Sequence, residues 1–179
     1  MSKSRLWMLT LASVAVLTAF IIAQEQKKPL SPPGQASLTF ADGKTVTLDY
    51  SRPSMRNRKI FGGLVPYDQV WRTGANAATS LKTDVNLNIG GTNVPAGSYT
   101  LYTLPGMSSW QLIINKQTGQ WGTEYNQSQD LARIPMQVTQ RPSGLETFSI
   151  SFDKTGGDSA TLKLDWENTL ASVEVKEQK

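Results

Sequence analysis

Side-chain polarity alternates strictly through the last third of the chain, and that alternation decides the fold class. Phe148, Ile150 and Phe152 share one parity against Thr147, Ser149 and Ser151. Ala160, Leu162, Leu164 and Trp166 repeat the pattern against Thr161, Lys163 and Asp165, and Ala171, Val173 and Val175 carry it on. A period of two belongs to a strand with one buried face, not to a helix of 3.6 residues per turn. Lys154-Thr155-Gly156-Gly157-Asp158 and Glu167-Asn168 read as the turns between these strands.

The same pattern recurs upstream. Leu38 and Phe40 precede Ala41-Asp42-Gly43-Lys44, a hairpin signal, and Val46, Leu48 and Tyr50 follow it. Leu81, Val85, Leu87 and Ile89 share a parity. Tyr99 to Leu104 is apolar on both faces, as a strand buried on two sides requires. Trp110–Asn115 is a further strand. Ile134, Met136 and Val138 form another, with Pro135 marking an edge or a bulge. Residues 116–130 read as a loop whose best helical stretch, Asn126 to Ala132, makes at most two turns. After residue 23 no segment of ten or more keeps a helical period. Regular short strands at this spacing predict an all-β fold: a single β-sandwich or jelly-roll-like domain of about 8–10 mostly antiparallel strands.

The first 26 residues have a different character. Lys3 and Arg5 precede an apolar run from Leu6 to Ala23, and polar Gln24-Glu25-Gln26 follows. That order is a secretory signal peptide, with a retained N-terminal anchor as the alternative, since the run of 18 residues is at the short edge of a membrane span. Residues 24–36, with three prolines, read as a flexible linker, and 37–179 as the β domain. The expected location is the periplasm of a Gram-negative bacterium, free or tethered to the inner membrane by an uncleaved N-terminal segment. Removing 1–23 leaves 156 of 179 residues, enough for one core without disulfides, and the chain has no Cys. Taking Lys3 and Arg5 from 18 basic residues, against 14 acidic ones, leaves a net charge of +2. That is too weak for a nucleic-acid partner.

Between two strand regions lies a stretch without strand or helix period, Asp49 to Thr79. Arg52, Arg56, Arg58 and Lys59 fall within eight positions, and Arg72 follows Trp71. Phe61, Tyr67 and Trp71 are interleaved with them, and Gly62, Gly63 and Gly74 serve as left-handed turn residues. Arginine presents a planar fork of donors to carboxylate, phosphate or sulfate. Arg52, Arg56, Arg58, Lys59, Tyr67, Trp71, Arg72, Asn76 and Thr79 are therefore the candidate ligand-binding residues, with Asp49 as structural support. Two further readings stand beside this one. The loop is a clasp across the sandwich, with Arg52 and Arg72 bonded to carbonyls or to Asp49, and Phe61, Leu64, Val65 and Trp71 as core plugs. Or it serves a hydrolase that uses Asp49 or Glu124 with Lys59.

The absence of His and Cys removes histidine bases, thiol nucleophiles and the common zinc sites. Asp153 and Asp158 flank a turn and read as turn formers rather than calcium ligands. Ser51 or Ser54 as a nucleophile has only Lys59 nearby in sequence. No catalytic residue, cofactor or metal is expected. The expected partner is an anionic small molecule or glycan, and membrane contact is expected only through the N-terminal segment.

The run DYSRPSMRNRKIFGG, then LVPYDQVWRTGANAAT, then VPAGSYTLYTLPG and WQLIIN, resembles the bacterial exported family DUF2911, a domain of unknown function. ETFSISFD and ATLKLDWENTLASVEV resemble its C-terminal strands, so the likeness spans roughly 38–176. It implies an exported, mostly β domain of Gram-negative bacteria and no assigned activity, substrate or cofactor. Asn57 departs from the family pattern, where a small residue, commonly Gly, is expected, and this bears on the turn geometry of the basic segment.

Overall fold

The computed structural model describes residues 30–179. The segments read as signal peptide, 1–23, and most of the linker lie outside the described residues. Nine strands form one antiparallel sheet in the order β1-β2-β3-β6-β7-β8-β9-β4-β5. They are β1 Pro33–Thr39, β2 Thr45–Ser51, β3 Thr79–Thr83, β4 Leu87–Ile89, β5 Thr92–Val94, β6 Gly97–Pro105, β7 Trp110–Asn115, β8 Asp130–Gly156 and β9 Ser159–Glu177. The all-β expectation holds. β1 starts at Pro33, inside the stretch read as linker.

Two long strands fold the sheet over on itself. The first residues of β8, Asp130 to Met136, pair with β7, and Gln137 onward pairs with β9. Pro135 sits on β8 just before β9 begins to pair, so its missing N–H interrupts no ladder bond to β9. The inward parity read from the sequence then meets across two layers. Val46, Leu48 and Leu112 on one side face Leu87, Leu162 and Val175 on the other around a void of about 10 Å3.

Glu167-Asn168 is not a turn. β9 runs through it, and Glu167 holds a φ of +52° at a register shift opposite Leu145. The chain from 140 to 149 is likewise part of β8, with its register shifted twice. Both strands bend instead of ending. The short helical stretch reduces to one 3-10 turn, Gln127–Gln129, capped by Asn126.

Candidate functional site

The central loop is ordered by aromatic burial. Phe61, Trp71, Trp110, Phe148 and Trp166 pack as one cluster under the loop. Trp71 stacks on Trp166 at 5.8 Å and 20°, and meets Phe148 nearly edge-on at 5.0 Å. Trp71 is also fixed through its main chain, which exchanges two hydrogen bonds with Thr103 at 2.7 and 3.0 Å. The expectation that Phe61, Val65 and Trp71 plug the core matches their burial. Leu64 differs: it is 46% exposed and lines a cleft.

The start of the loop closes the sheet. Phe148 N–H donates to the Pro53 carbonyl and Met55 N–H to the Glu146 carbonyl, so residues 53–55 continue β2 along the middle of β8. Arg52 lies with its stem against Gly34 and donates from Nε to the Phe148 carbonyl at 3.3 Å. Arg56 donates from Nη2 to the Leu30 carbonyl at 2.8 Å. Arg58 donates to the carbonyls of Met55 and Ser54 at 2.9 and 2.8 Å. Arg56 and Asn57 have φ of +51° and +60°, and Arg58 N–H returns to the Met55 carbonyl. Two successive left-handed residues make a primed turn, which explains why asparagine suits position 57.

The next turn is held from outside the loop. The Glu167 carboxylate accepts from the N–H groups of Ile60 and Phe61, both at 3.2 Å. Sequence reasoning missed Glu167, because it read that residue as part of a turn. Gly62 has a φ of +77°, and the Tyr67 ring sits 2.7 Å from where a Cβ would project. Gly63 departs from its expected left-handed role. Its φ is not positive, and glycine is required there because a Cβ would stand 2.6 Å from the Lys59 carbonyl oxygen. The Lys59 side chain is exposed and makes no hydrogen bond among the described residues.

The end of the loop is a tight polar knot. Thr79, fully buried, donates to the Thr73 carbonyl at 2.8 Å. Thr73, also fully buried, has a φ of +53°, a strained value for a β-branched residue. Its hydroxyl is tied to Thr103 and to the Trp71 carbonyl. Gly74, at a φ of +154°, lets the chain pass against Ser51. Asn76, left-handed at +61°, takes the Gly122 N–H on its carbonyl, and its side chain reaches Ser51 at 3.5 Å. Asp49 accepts from Gln35 at 2.7 Å and has no bond to Arg52.

Arg72 is the exception among these arginines. It is half-buried, packs its stem against Gly122, and makes no hydrogen bond or ion pair with any described residue. It lines a cleft of about 260 Å3 between the 64–72 stretch, Tyr102 of β6 and the 122–125 segment. Tyr125 stands in the same wall and meets Tyr102 edge-to-face at 5.0 Å. The Tyr125 hydroxyl donates to Asp130 at 2.6 Å and accepts from Arg133 at 2.8 Å. Burial, then the Asp130 carboxylate, pushes its phenol up to about 12. The nine candidate residues thus do not gather on one point. Trp71 and Arg72 line this cleft, and Arg52, Arg56 and Arg58 are bound to main-chain carbonyls elsewhere. Tyr102, Gly122, Thr123 and Tyr125 were missed. The aromatic Trp121-Gly122 and Tyr125, set in a polar loop, were the available signal.

Among the described residues no three acidic side chains converge on a metal-sized space. Asp153 pairs with Lys163 and Asp158 with Lys179. Ser51 and Thr79 have Asn76 and the Thr73 carbonyl as partners rather than a carboxylate. No helix of the described residues is long and apolar enough to cross a membrane.

Fold and cleft together define an all-β domain with a cleft beside its central loop, lined by one arginine. The family model described as a protein of unknown function, DUF2911, matches residues 31–175. The chain belongs to the DUF2911 family. No curated protein and no solved structure matches it.

Proposed function

We propose that this protein is an exported, periplasmic binding module that takes an anionic small molecule or glycan through the Arg72 end of the central loop. The observation that carries the reading is the state of Arg72: a half-buried arginine lining a cleft, with no hydrogen-bond or ion-pair partner among the described residues. A planar donor fork without a protein partner favours a carboxylate, phosphate or sulfate. The order of the first 26 residues supports export.

A second reading concerns the other arginines. Arg52, Arg56 and Arg58 all donate to main-chain carbonyls, which is what a clasp requires and leaves less of each fork for a ligand. The two readings divide the loop between them. A thermal-shift panel of small carboxylates, phosphates and acidic sugars separates them. Arg72→Gln is expected to keep the wild-type melting temperature and lose the response to the anion. Arg52→Ala is expected to melt lower and keep that response. If no anion stabilises the wild type, or if Arg72→Gln responds as the wild type does, the binding proposal fails.

A further inference from the structure

The cleft beside Arg72 restricts its ligand by the hydrogen bonds it does not offer. Arg72 is the one charged side chain in its lining, and no carboxylate faces it. Both tyrosine hydroxyls are already committed. Tyr102 donates to the Glu124 carbonyl and accepts from Gln120 Nε2, while Tyr125 is held between Asp130 and Arg133. The two tyrosines therefore present ring carbon, not hydroxyl. Leu64, Val65, Pro66 and Val70 supply the facing wall, and Leu64 is half-exposed at its rim. Apart from Arg72, the side chains in the lining with unspent hydrogen-bonding capacity are Gln69, Thr123 and the indole N–H of Trp71.

A sugar carries hydroxyls around its whole ring, and each one moved from water to an apolar wall without a partner costs free energy. A site with three uncommitted polar side chains beside one arginine cannot partner every hydroxyl of such a body. An apolar body of similar size brings no hydroxyls of its own to desolvate and gains from burial against Leu64, Val65 and Pro66. The volume, about 260 Å3, is at the small end for ligand pockets and suits a compact ligand.

We infer that the ligand is a compact monoacid with an apolar or aromatic body. Its acid group meets the Arg72 guanidinium, and its body lies between the Tyr125 ring and the Leu64–Pro66 wall. The inference rests on the anion-binding reading above and narrows it, setting aside acidic glycans and sugar phosphates.

Titration calorimetry with benzoate, glucuronate, glucose 6-phosphate and acetate tests it on the purified protein. Benzoate is expected to bind at least tenfold more tightly than glucuronate or glucose 6-phosphate. Leu64→Ser is expected to weaken benzoate about fivefold, the factor for losing roughly 1 kcal/mol of apolar contact, and to leave acetate unchanged. Arg72→Gln is expected to abolish benzoate binding. If that variant does not fold, Arg72→Lys is read in its place and is expected to weaken benzoate, since an ammonium lacks the planar fork. If glucuronate or glucose 6-phosphate binds as tightly as benzoate and needs Arg72, the ligand class is wrong and the anion reading stands. If benzoate binds wild type and Arg72 variants alike, or no anion binds at all, both fail.

Discussion

Replacing Glu167 is the sharpest test of what orders the central loop. Its two carboxylate oxygens accept the N–H groups of Ile60 and Phe61 at 3.2 Å. Hydrogen bonds to an ionised group contribute roughly 1.5–3 kcal/mol each. The half-buried site and the 3.2 Å lengths place these two at the low end, so Glu167→Ala loses about 3 kcal/mol through them. Glu167 also sits at a φ of +52°, where any Cβ costs roughly 1 kcal/mol. Glu167→Gly removes that Cβ and so loses about 1 kcal/mol less than Glu167→Ala. Glu167→Gln keeps the shape but turns an amide N–H2 toward one of the two donors, so it loses about half of the pair. For a domain of this size each kcal/mol moves the melting temperature by roughly 2–4 °C. Glu167→Ala is therefore expected to melt about 6–12 °C lower, with Gln and Gly between it and the wild type. Guanidinium unfolding followed by the fluorescence of buried Trp71, Trp110 and Trp166 reads the same order. The reasoning is refuted if Glu167→Ala stays within about 1 kcal/mol of the wild type, or if Glu167→Gly is the least stable of the three.

Two further perturbations probe the cleft. A Cβ at Gly122 would stand 2.3 Å from Arg72 Cδ and 2.7 Å from the Asn76 carbonyl oxygen. The arginine stem can swing away and the carbonyl cannot, so Gly122→Ala is expected to cost about 1–3 kcal/mol by denaturation and to weaken the anion response in thermal shift. The second concerns alkaline pH. The Tyr125 phenol is raised from 10.0 to about 12, so its contribution to stability is fully present below pH 10 and is lost as pH rises toward 12. Tyr125→Phe is expected to flatten the alkaline fall of unfolding free energy in that window. A shallower slope remains from Tyr99 and Tyr102, which burial also raises.

The sheet was legible because its faces differ in polarity. Leu162, Leu164 and Trp166 announce their inward parity whatever they pair with. The continuity of β8 and β9 was hidden for the same reason that turns are usually found. Glu167-Asn168 and the 140–146 stretch are polar and interrupt the parity, and a bulge and a turn look alike in such a sequence. Only the partner strand distinguishes them, since Leu145 stands opposite Glu167. The site was half legible. Arginine types and a non-periodic stretch marked the loop, but each arginine's use depends on which carbonyl lies within reach. Arg58 finds its carbonyls four residues back or less, whereas Arg52 needs Phe148, distant by 96 positions. Tyr102 and Tyr125 reach the cleft from β6 and the 122–125 segment, a placement that no local pattern encodes.

The division of labour among the arginines follows from supply and demand for partners. Arg52 finds the Phe148 carbonyl of β8, Arg56 that of Leu30, and Arg58 those of Met55 and Ser54 within the loop itself. Around Arg72 the supply has been used. Asp130, bonded to the Tyr125 hydroxyl behind the cleft wall, also takes Arg133 and Asn115. The Asn76 carbonyl takes the Gly122 N–H, and Trp71 and Thr103 bond each other. Arg72 is thus held by its stem against Gly122 and beside the strained Thr73, while its charged end keeps no protein partner among the described residues. Charges interact more strongly as solvent is displaced, so the anion that gains most is one whose own body expels the remaining water from between Leu64 and Tyr125. That requirement joins the two halves of the proposed ligand: the acid group supplies the counter-charge, and the apolar body makes that counter-charge effective.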